Sequence, residues 1–189
     1  TMITLLGNHD IYYKETLHVN SAELLLEKYN NIVRVEKSGT MDIAGVPVDI
    51  VPWVCEENLD SVRGFLYKSQ SQICFGHFEL NGFLMDRNNV FKGGNITKTE
   101  LLKYDMVLCG HFHHKNDDGH IYYVGTPTEM TWADHDDPRG FHIFDVYTRN
   151  LEFIQNPYTM FNKLVYDDTV QSMDFWKEFD YSVFSKSYV

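Results

Sequence analysis

A short pattern that occurs three times constrains the fold of this chain more than any other feature of the sequence. Each copy has an apolar run, then a glycine, then side chains able to bind a metal ion, as in Gly7-Asn8-His9-Asp10, Gly76-His77 and Gly110-His111-Phe112-His113. Short apolar runs of this kind are typical of buried strands. In open α/β sheets the functional crevice lies at the carboxyl ends of the strands, so we expect the three polar ends to meet. Glycine would let the backbone turn sharply there.

Helical and strand-like patterns alternate along the rest of the sequence. Asn20-Ser21-Ala22-Glu23 resembles a capping box and predicts a helix that ends at Asn30-Asn31. Gly45 predicts a hairpin turn inside residues 40–51, and Pro47 suggests a strand at the edge of a sheet. This interleaving predicts a layered α/β domain. Further helices are predicted over residues 58–68 and 97–104, and further strands over residues 2–6, 32–36, 72–75, 105–109, 121–124, 141–146 and 151–154.

The composition indicates a folded protein with no membrane segment. With 189 residues, of which 43% are hydrophobic, the chain can bury a substantial core. No run approaches the roughly 18 apolar residues of a membrane-spanning helix, and no basic segment precedes the first apolar run. We therefore expect a cytoplasmic protein, in which Cys55, Cys74 and Cys109 are buried free thiols.

The net charge of −11 bears on the substrate. Nonspecific DNA affinity comes largely from Lys and Arg side chains that neutralise phosphates. Taken alone, the charge therefore favours a small substrate over DNA. One local exception runs from Arg87 to Lys103, where four basic residues face only Glu100, and we interpret it as a solvated loop and helix face.

The residue types that follow the three glycines point to metal chemistry. Imidazole, amide and carboxylate donors together suit ions such as manganese, iron or zinc. Two such ions about 3.5 to 4 Å apart can polarise a phosphoryl oxygen and activate a water molecule for attack on a phosphate ester. A single Gly-His, or one His-x-His pair, also occurs in turns and on surfaces. Three such sequences at strand ends are much harder to attribute to chance, and they predict one metal site.

In this order, the three motifs resemble the third, fourth and fifth motifs of the calcineurin-like metallophosphoesterases. Within that superfamily the chain is most similar to the SbcD-like recombination nucleases, and specifically to the nuclease subunit of T-even-type phages. The resemblance covers most of residues 1 to about 160. It includes the segments Pro52-Trp53-Val54-Cys55-Glu56-Glu57-Asn58, Gly76-His77-Phe78-Glu79-Leu80-Asn81-Gly82-Phe83, Gly125-Thr126-Pro127 and Asp137-Pro138-Arg139-Gly140-Phe141.

The resemblance implies a site for two divalent ions, which we expect to be manganese. By the motif positions, one ion would be bound by Asn8, His77 and His111, and the other by His113. His114, next to this pair of histidines, is interpreted as a bystander.

Two further residues of the first motif would act on the substrate. His9 would contact the scissile phosphate or protonate the leaving oxygen, and Asp10 would orient its ring. This role suits the chemistry, because an imidazole with an unperturbed pKa of about 6.5 can donate a proton near neutral pH.

The resemblance also implies the fold and the domain organisation. We expect a metallophosphoesterase fold of two β-sheets flanked by helices, with residues 1–157 forming the C-terminal part of the nuclease domain. Residues 158–189, which are rich in aromatic side chains, would begin a capping module that binds DNA, and this module would be incomplete.

Two motifs of the family do not appear. An Asp-x-His motif and a Gly-Asp-x-x-Asp motif, which supply the other metal ligands and the bridging carboxylate, should precede Gly7, but the sequence opens at Thr1 directly on an apolar run. Asp118-Gly119-His120 has the letters of the first motif but precedes a strand, so we interpret it as a turn. We therefore expect an N-terminally truncated fragment that has little or no activity by itself.

The function implied by the resemblance is hydrolysis of DNA phosphodiester bonds in recombination and DNA-end processing, in the cytoplasm of a bacterial or phage-infected cell. DNA and an SbcC-like SMC-type ATPase subunit would be its partners, with a homodimer as a further assembly to consider. Two alternatives stay open. One is a small-substrate phosphoesterase, either a phosphatase or a cyclic-nucleotide phosphodiesterase, which suits the charge of −11 better. The other is a truncated binding subunit without catalysis.

Overall fold

The computed structural model describes residues 1–189 and contains ten strands and four α-helices. The predicted strands and helices are present in the predicted order, with ends that differ by a few residues. The strands are β1 (Met2–Leu5), β2 (Ile32–Val35), β3 (Gly39–Ile43), β4 (Val46–Val51), β5 (Ile73–His77), β6 (Met106–Gly110), β7 (Asn116–Asp117), β8 (Ile121–Tyr123), β9 (Gly140–Phe144) and β10 (Leu151–Gln155). The helices are α1 (Ser21–Leu26), α2 (Leu59–Lys68), α3 (Lys98–Leu101) and α4 (Met173–Glu178), and short 3-10 helices cover Trp132–Asp134 and Tyr181–Phe184.

Polar side chains explain where the helices begin. The Asn20 side chain caps α1 by accepting a hydrogen bond from the Glu23 N–H at 2.7 Å, as the sequence predicted. At α3, Thr97 and Glu100 form a reciprocal capping box. None of the helices has the length and apolar character needed to cross a membrane.

Six of the strands form the main sheet, in the order β3-β4-β5-β6-β8-β7. The four inner strands run parallel, whereas β3 and β7 pair antiparallel at the two edges. Parallel strands are covered on both faces, which explains the continuous apolar runs of β5 and β6. The predicted α/β class is confirmed, and the carboxyl ends of β4, β5 and β6 meet at one edge.

Pro47 does not mark an edge strand, so this prediction is wrong. Its strand, β4, lies inside the main sheet between β3 and β5. The pairing of β4 with β5 begins at Val48, one residue after the proline, so the missing N–H removes no bond from that ladder. The edge strand is β3, which joins β4 through a turn in which Ala44 and Gly45 both have positive φ angles.

The two faces of the main sheet enter different apolar clusters. On one face, α2 and α3 pack over a core of 16 buried residues that includes Cys74 and Cys109. On the other face, Ile73 and apolar residues of β4 pack near Leu5 and Phe144, which belong to two separate two-stranded sheets, β1–β2 and β9–β10. The structure therefore has layers of helices, main sheet and small sheets. All three cysteines are buried and free, as predicted.

One carboxylate lies in the interior of the main sheet. Asp49 on β4 is 0% exposed, and it accepts hydrogen bonds from the hydroxyls of Thr40, Ser71 and Tyr104 at 2.6–2.7 Å. Burial alone would raise the pKa of the Asp49 carboxyl, but hydrogen bonds from hydroxyl side chains bring it below its ordinary value of 3.8. The ionised form is therefore the one that this part of the core is built to hold.

The variant Asp49→Asn is expected to lower the free energy of unfolding by about 1–2 kcal/mol at neutral pH, because a neutral amide replaces a charged acceptor. A carboxyl whose pKa is depressed in the folded state stabilises that state above its ordinary pKa and loses this contribution as the pH falls. The difference between wild type and variant should therefore shrink below pH 3.8. Urea unfolding across this pH range measures it, and a difference independent of pH would contradict a charged Asp49.

Residues 158–189 attach to the rest of the structure through Glu129. This buried carboxylate accepts hydrogen bonds from the backbone N–H groups of Met160 and Phe161 at 2.6 and 2.9 Å. The Phe161 ring in turn packs on Trp132, with 4.8 Å between the ring centroids. The expectation that this segment begins a second module stays a prediction.

Candidate metal centre

Three side-chain atoms from separate strand ends converge at the carboxyl edge of the main sheet. The Nε2 atom of His77 lies 2.9 Å from Oδ1 of Asn8, and Nδ1 of His111 lies 3.1 Å from the same oxygen. The two ring nitrogens are 3.3 Å apart. We refer to Asn8, His77 and His111 as the donor triplet. The structure thus brings together the three polar strand ends whose meeting the sequence predicts.

The main sheet and β1 together place the donor triplet. The strands β5 and β6 are parallel neighbours in which His77 pairs with Gly110, so His77 and His111 leave the sheet side by side. The strand β1 belongs to a different sheet, but the Leu6 carbonyl just after it accepts a hydrogen bond from the Trp53 N–H at 2.8 Å. Because Trp53 follows β4, this bond fixes the end of β1 against the same edge.

The glycines before the three donors provide space for neighbouring aromatic and imidazole rings. A Cβ atom on Gly7 would lie 2.7 Å from the His77 ring, and one on Gly110 would lie 3.0 Å from it. A Cβ atom on Gly76 would lie 2.1 Å from the Phe78 ring. None of the three glycines has a positive φ angle, but Gly7 does open a turn, in which its carbonyl accepts a hydrogen bond from the Asp10 N–H at 3.1 Å. The missing side chains let the imidazole of His77 fit between two neighbouring strand ends.

The backbone and the ring of His111 are both constrained. Its φ angle of 95° lies in the region that favours glycine. Such conformations cost on the order of 1–3 kcal/mol and cluster at ligand-binding and catalytic sites. The ring packs on Trp53 with 5.3 Å between centroids, and the His77 ring meets the same indole edge-on at 5.8 Å. Trp53 therefore restricts both imidazoles, a role that the sequence did not predict.

Burial keeps both imidazoles of the donor triplet neutral. Burial, followed by the neighbouring His111, lowers the pKa of His77 to about 4. Burial also lowers the pKa of His111 to about 4, and the charges of His9 and His113 contribute in the same direction. At neutral pH each ring therefore carries a free lone pair, as a histidine ligand must.

The donor triplet fits a divalent metal ion. Ligands that lie about 2.1 Å from an ion in octahedral geometry are about 3.0 Å from their neighbours. The separations of 2.9, 3.1 and 3.3 Å therefore match one triangular face of a coordination shell. Two imidazoles and an amide oxygen suit manganese, iron or zinc. The structure contains no group of three His, Cys, Asp or Glu side chains that could hold a metal ion, and the third donor of the triplet is the amide oxygen of Asn8.

The other two residues of the first motif, His9 and Asp10, differ in their surroundings. The His9 side chain is exposed to solvent. The Asp10 carboxylate accepts hydrogen bonds from the Gly7 N–H at 2.8 Å and from the Ser21 hydroxyl at 3.1 Å. No hydrogen bond joins it to the His9 ring in the structure, and the predicted role of Asp10 in orienting that ring stays a prediction. Asp10 closes the turn after β1 and ties it to the start of α1.

His113 is joined through its backbone carbonyl to a buried network that the sequence did not predict. Its Nδ1 atom lies 3.9 Å from Asp134, and its backbone carbonyl accepts a hydrogen bond from the guanidinium of Arg139. Arg139 also binds the carboxylates of Asp134 and Asp137 at 2.7 and 2.6 Å, and Asp137 contacts Nδ1 of His114 at 2.9 Å. The network therefore supports the loop after β6. The role of His113 as a metal ligand stays a prediction.

The segment Asp118-Gly119-His120 is a turn, as predicted. It links β7 to β8, and Gly119 has a φ angle of 84°. The His120 ring contacts the Tyr104 carbonyl through Nε2 at 2.7 Å. Because His120 precedes β8, it lies at the amino edge of the parallel strands, away from the donor triplet.

Comparison with known proteins identifies a phage relative. The chain is 38% identical over 166 residues to exonuclease subunit 1 of Enterobacteria phage T4, and the aligned region covers 88% of this chain and 48% of that protein. This chain therefore spans about half the length of that relative. No protein-family model matches the chain.

Proposed function

Because the chain is a relative of the nuclease subunit of T-even-type phages, as its motifs predicted, we propose that it forms part of a metal-dependent DNA nuclease. The whole protein would hydrolyse phosphodiester bonds and act in recombination and DNA-end processing. The observation that carries the proposal is the donor triplet. Three donor atoms from three strand ends lie 2.9–3.3 Å apart in a chain that is 38% identical to an exonuclease subunit.

The residues of this chain would have two kinds of role, metal binding and contact with the substrate. Two divalent ions, with manganese as our proposal, would polarise the phosphoryl oxygen and activate water when bound. Asn8, His77 and His111 would hold one of them, and His113 would help to hold the other. His9, exposed next to Asn8 in the chain, would contact the scissile phosphate or give a proton to the leaving oxygen.

We propose that the layers are those of a metallophosphoesterase fold whose second sheet is only partly formed by this chain. The pairs β1–β2 and β9–β10 lie over the same face of the main sheet, on either side of an apolar cavity of about 480 Å³ lined by Leu5, Phe75, Leu108 and Phe144 among others. A two-stranded parallel pair is rarely stable without further strands. Strands from elsewhere in the protein would occupy the space between the two small sheets. They would also bring the remaining metal ligands to the edge that holds the donor triplet.

The domain organisation and the partners follow from the same proposal. Residues 1–157 would be the C-terminal part of the nuclease domain, and residues 158–189 the start of a capping module that binds DNA. A charge of −11 leaves this chain with little basic surface for DNA phosphates. An SbcC-like SMC-type ATPase would then supply that surface, and a homodimer of the nuclease is a further assembly that we propose to test. The phage relative is itself named as a subunit, which supports a partner.

A longer protein that contains this chain is expected to cleave duplex DNA when loaded with manganese. The variant His77→Ala should reduce the rate by about 1,000-fold or more, because a bound ion contributes several kcal/mol to transition-state stabilisation. The 189-residue chain alone should have little or no activity. Release of nucleotides from labelled duplex DNA, with and without a chelator, measures both. The variant His120→Ala is the matched control, since this histidine lies at the opposite edge of the sheet.

Hydrolysis of a chromogenic phosphodiester separates the remaining alternatives. A metal-loaded protein that hydrolyses the small diester but leaves DNA intact would overturn the nuclease proposal in favour of a small-substrate phosphoesterase. A protein that hydrolyses neither substrate but binds DNA would be a binding subunit without catalysis. Strong nuclease activity of the 189-residue chain alone would contradict the proposal that further ligands come from outside it.

A further inference from the structure

The second nitrogen of the His111 ring faces a carboxylate. While Nδ1 belongs to the donor triplet, Nε2 lies 3.2 Å from Oε1 of Glu79. We propose that Glu79 is a positioning residue, which holds the ring proton of His111 on Nε2 and so leaves the Nδ1 lone pair free for a metal ion. This inference rests on the proposed metal site and adds to it a residue outside the three glycine-led motifs.

The chemistry of the ring makes this contact decisive. A neutral imidazole has one N–H and one lone pair, and its neighbours determine which nitrogen carries the proton. A proton on Nδ1 would donate to the amide oxygen of Asn8, 3.1 Å away, and would remove the lone pair from the triplet. A proton on Nε2 lies beside the Glu79 carboxylate at an ion-pair distance of 3.2 Å, and the negative charge of that carboxylate favours a proton on this nitrogen. Glu79 therefore favours the tautomer able to bind a metal.

The backbone around Glu79 is fixed on both sides. The hydroxyl of Tyr123 donates to the Phe78 carbonyl at 2.8 Å and accepts from the Leu80 N–H at 3.1 Å, so one buried side chain clamps the residues before and after Glu79. Gly94 packs so closely that a Cβ atom there would lie 2.0 Å from the Glu79 carbonyl. The carboxylate thus approaches the imidazole from a rigid support, as an orienting residue requires.

The geometry also separates this role from direct metal binding. The two nitrogens of an imidazole point in different directions, and Glu79 is on the Nε2 side of the ring, away from Asn8 and His77. The carboxylate acts on the donor triplet through His111. Carboxylates that accept the other N–H of a metal-binding histidine typically contribute about 10- to 100-fold to metal affinity.

The test uses protein with ¹⁵N-labelled histidine, without metal, and NMR to read the tautomer of His111 from its ring nitrogens. Wild type should carry the proton on Nε2. The variant Glu79→Ala should shift the population toward Nδ1–H and weaken manganese binding, measured by calorimetry, about 10- to 100-fold. The variant Glu79→Gln keeps an acceptor oxygen of the same reach but loses the charge, so its tautomer population and manganese affinity should lie between those of wild type and Glu79→Ala. Glu100→Gln is the matched control, because the Glu100 side chain is 28% exposed and that of Glu79 is 29% exposed.

Two results would overturn this role for Glu79. One is an unchanged tautomer in Glu79→Ala. The other is a manganese affinity in Glu79→Gln as low as in Glu79→Ala, with the tautomer intact, which would make the carboxylate a ligand itself. A wild-type protein that binds no manganese would overturn the proposed function. The tautomer of His111, which is measured without metal, would still show whether Glu79 positions the ring proton. The conservative variant keeps the test valid if Glu79→Ala does not fold.

Discussion

Replacing Arg139 by alanine is expected to lower the free energy of unfolding by about 3–5 kcal/mol, the usual result of removing one partner from a buried ion pair. Arg139 is 5% exposed, and one of its nitrogens binds both Asp134 and Asp137 at 2.7 and 2.6 Å. Its other terminal nitrogen donates to the His113 carbonyl and, at 3.0 Å, to the Thr126 hydroxyl. Alanine would leave two buried carboxylates without their shared cation and the loop after β6 without its support.

Chemical denaturation followed by circular dichroism measures this loss, and Arg87 provides the control. Arg87 contacts the same Asp137 at 3.8 Å, but its side chain is 38% exposed. Solvent screens such a pair, so Arg87→Ala is expected to cost less than about 1 kcal/mol. If both variants lost the same free energy of unfolding, burial of Arg139 would not be the reason for its contribution to stability. Arg139→Lys should recover only part of the stability, because an ammonium cannot reproduce the planar fork that reaches four acceptors.

The sequence predicted the parts of the site that depend on strand ends. Each of the three glycine-led motifs follows an apolar run, and parallel strands bring their carboxyl ends to one edge. This reasoning placed Asn8, His77 and His111 together, although β1 joins the edge from a different sheet. The α/β class followed from the same alternation of strand and helix patterns. Periodicity and end signals are local properties, which is why they can be read from the sequence.

The supporting residues could not be predicted in this way, because their contacts join segments far apart in the chain. Glu79 meets His111, and Arg139 meets the carbonyl of His113, only after the main sheet has formed. Trp53 was visible as a residue just after the β4 strand, at the same edge as the donors, and that position was the one available signal for it. The steric requirement for glycine at position 7 could not be predicted either, because it arises from the ring of His77, a residue of another strand.

Removing one member of the donor triplet is expected to have the largest effect on metal binding. The variant His111→Ala should lower the manganese affinity of the protein by at least about 100-fold, since even residues that only orient a ligand contribute about 10- to 100-fold. Calorimetric titration measures the affinity. The matched control is His114→Gln, three residues along the same loop, where the amide can still donate to Asp137 and no donor of the triplet is lost. An affinity reduced equally in both variants would indicate damage to the loop and not loss of a ligand.

The variant Asn8→Ala should reproduce the loss seen in His111→Ala, because the two side chains contact each other at 3.1 Å and would share one ion. Residues that act on the same bound species show strongly non-additive effects. The double variant should therefore lose little beyond either single variant once binding to that ion is gone. Fully additive losses would mean that Asn8 and His111 serve different ions, which would contradict the triangle of 2.9, 3.1 and 3.3 Å as a single metal-binding face. Non-additivity thus tests the geometry itself, independently of any nuclease assay.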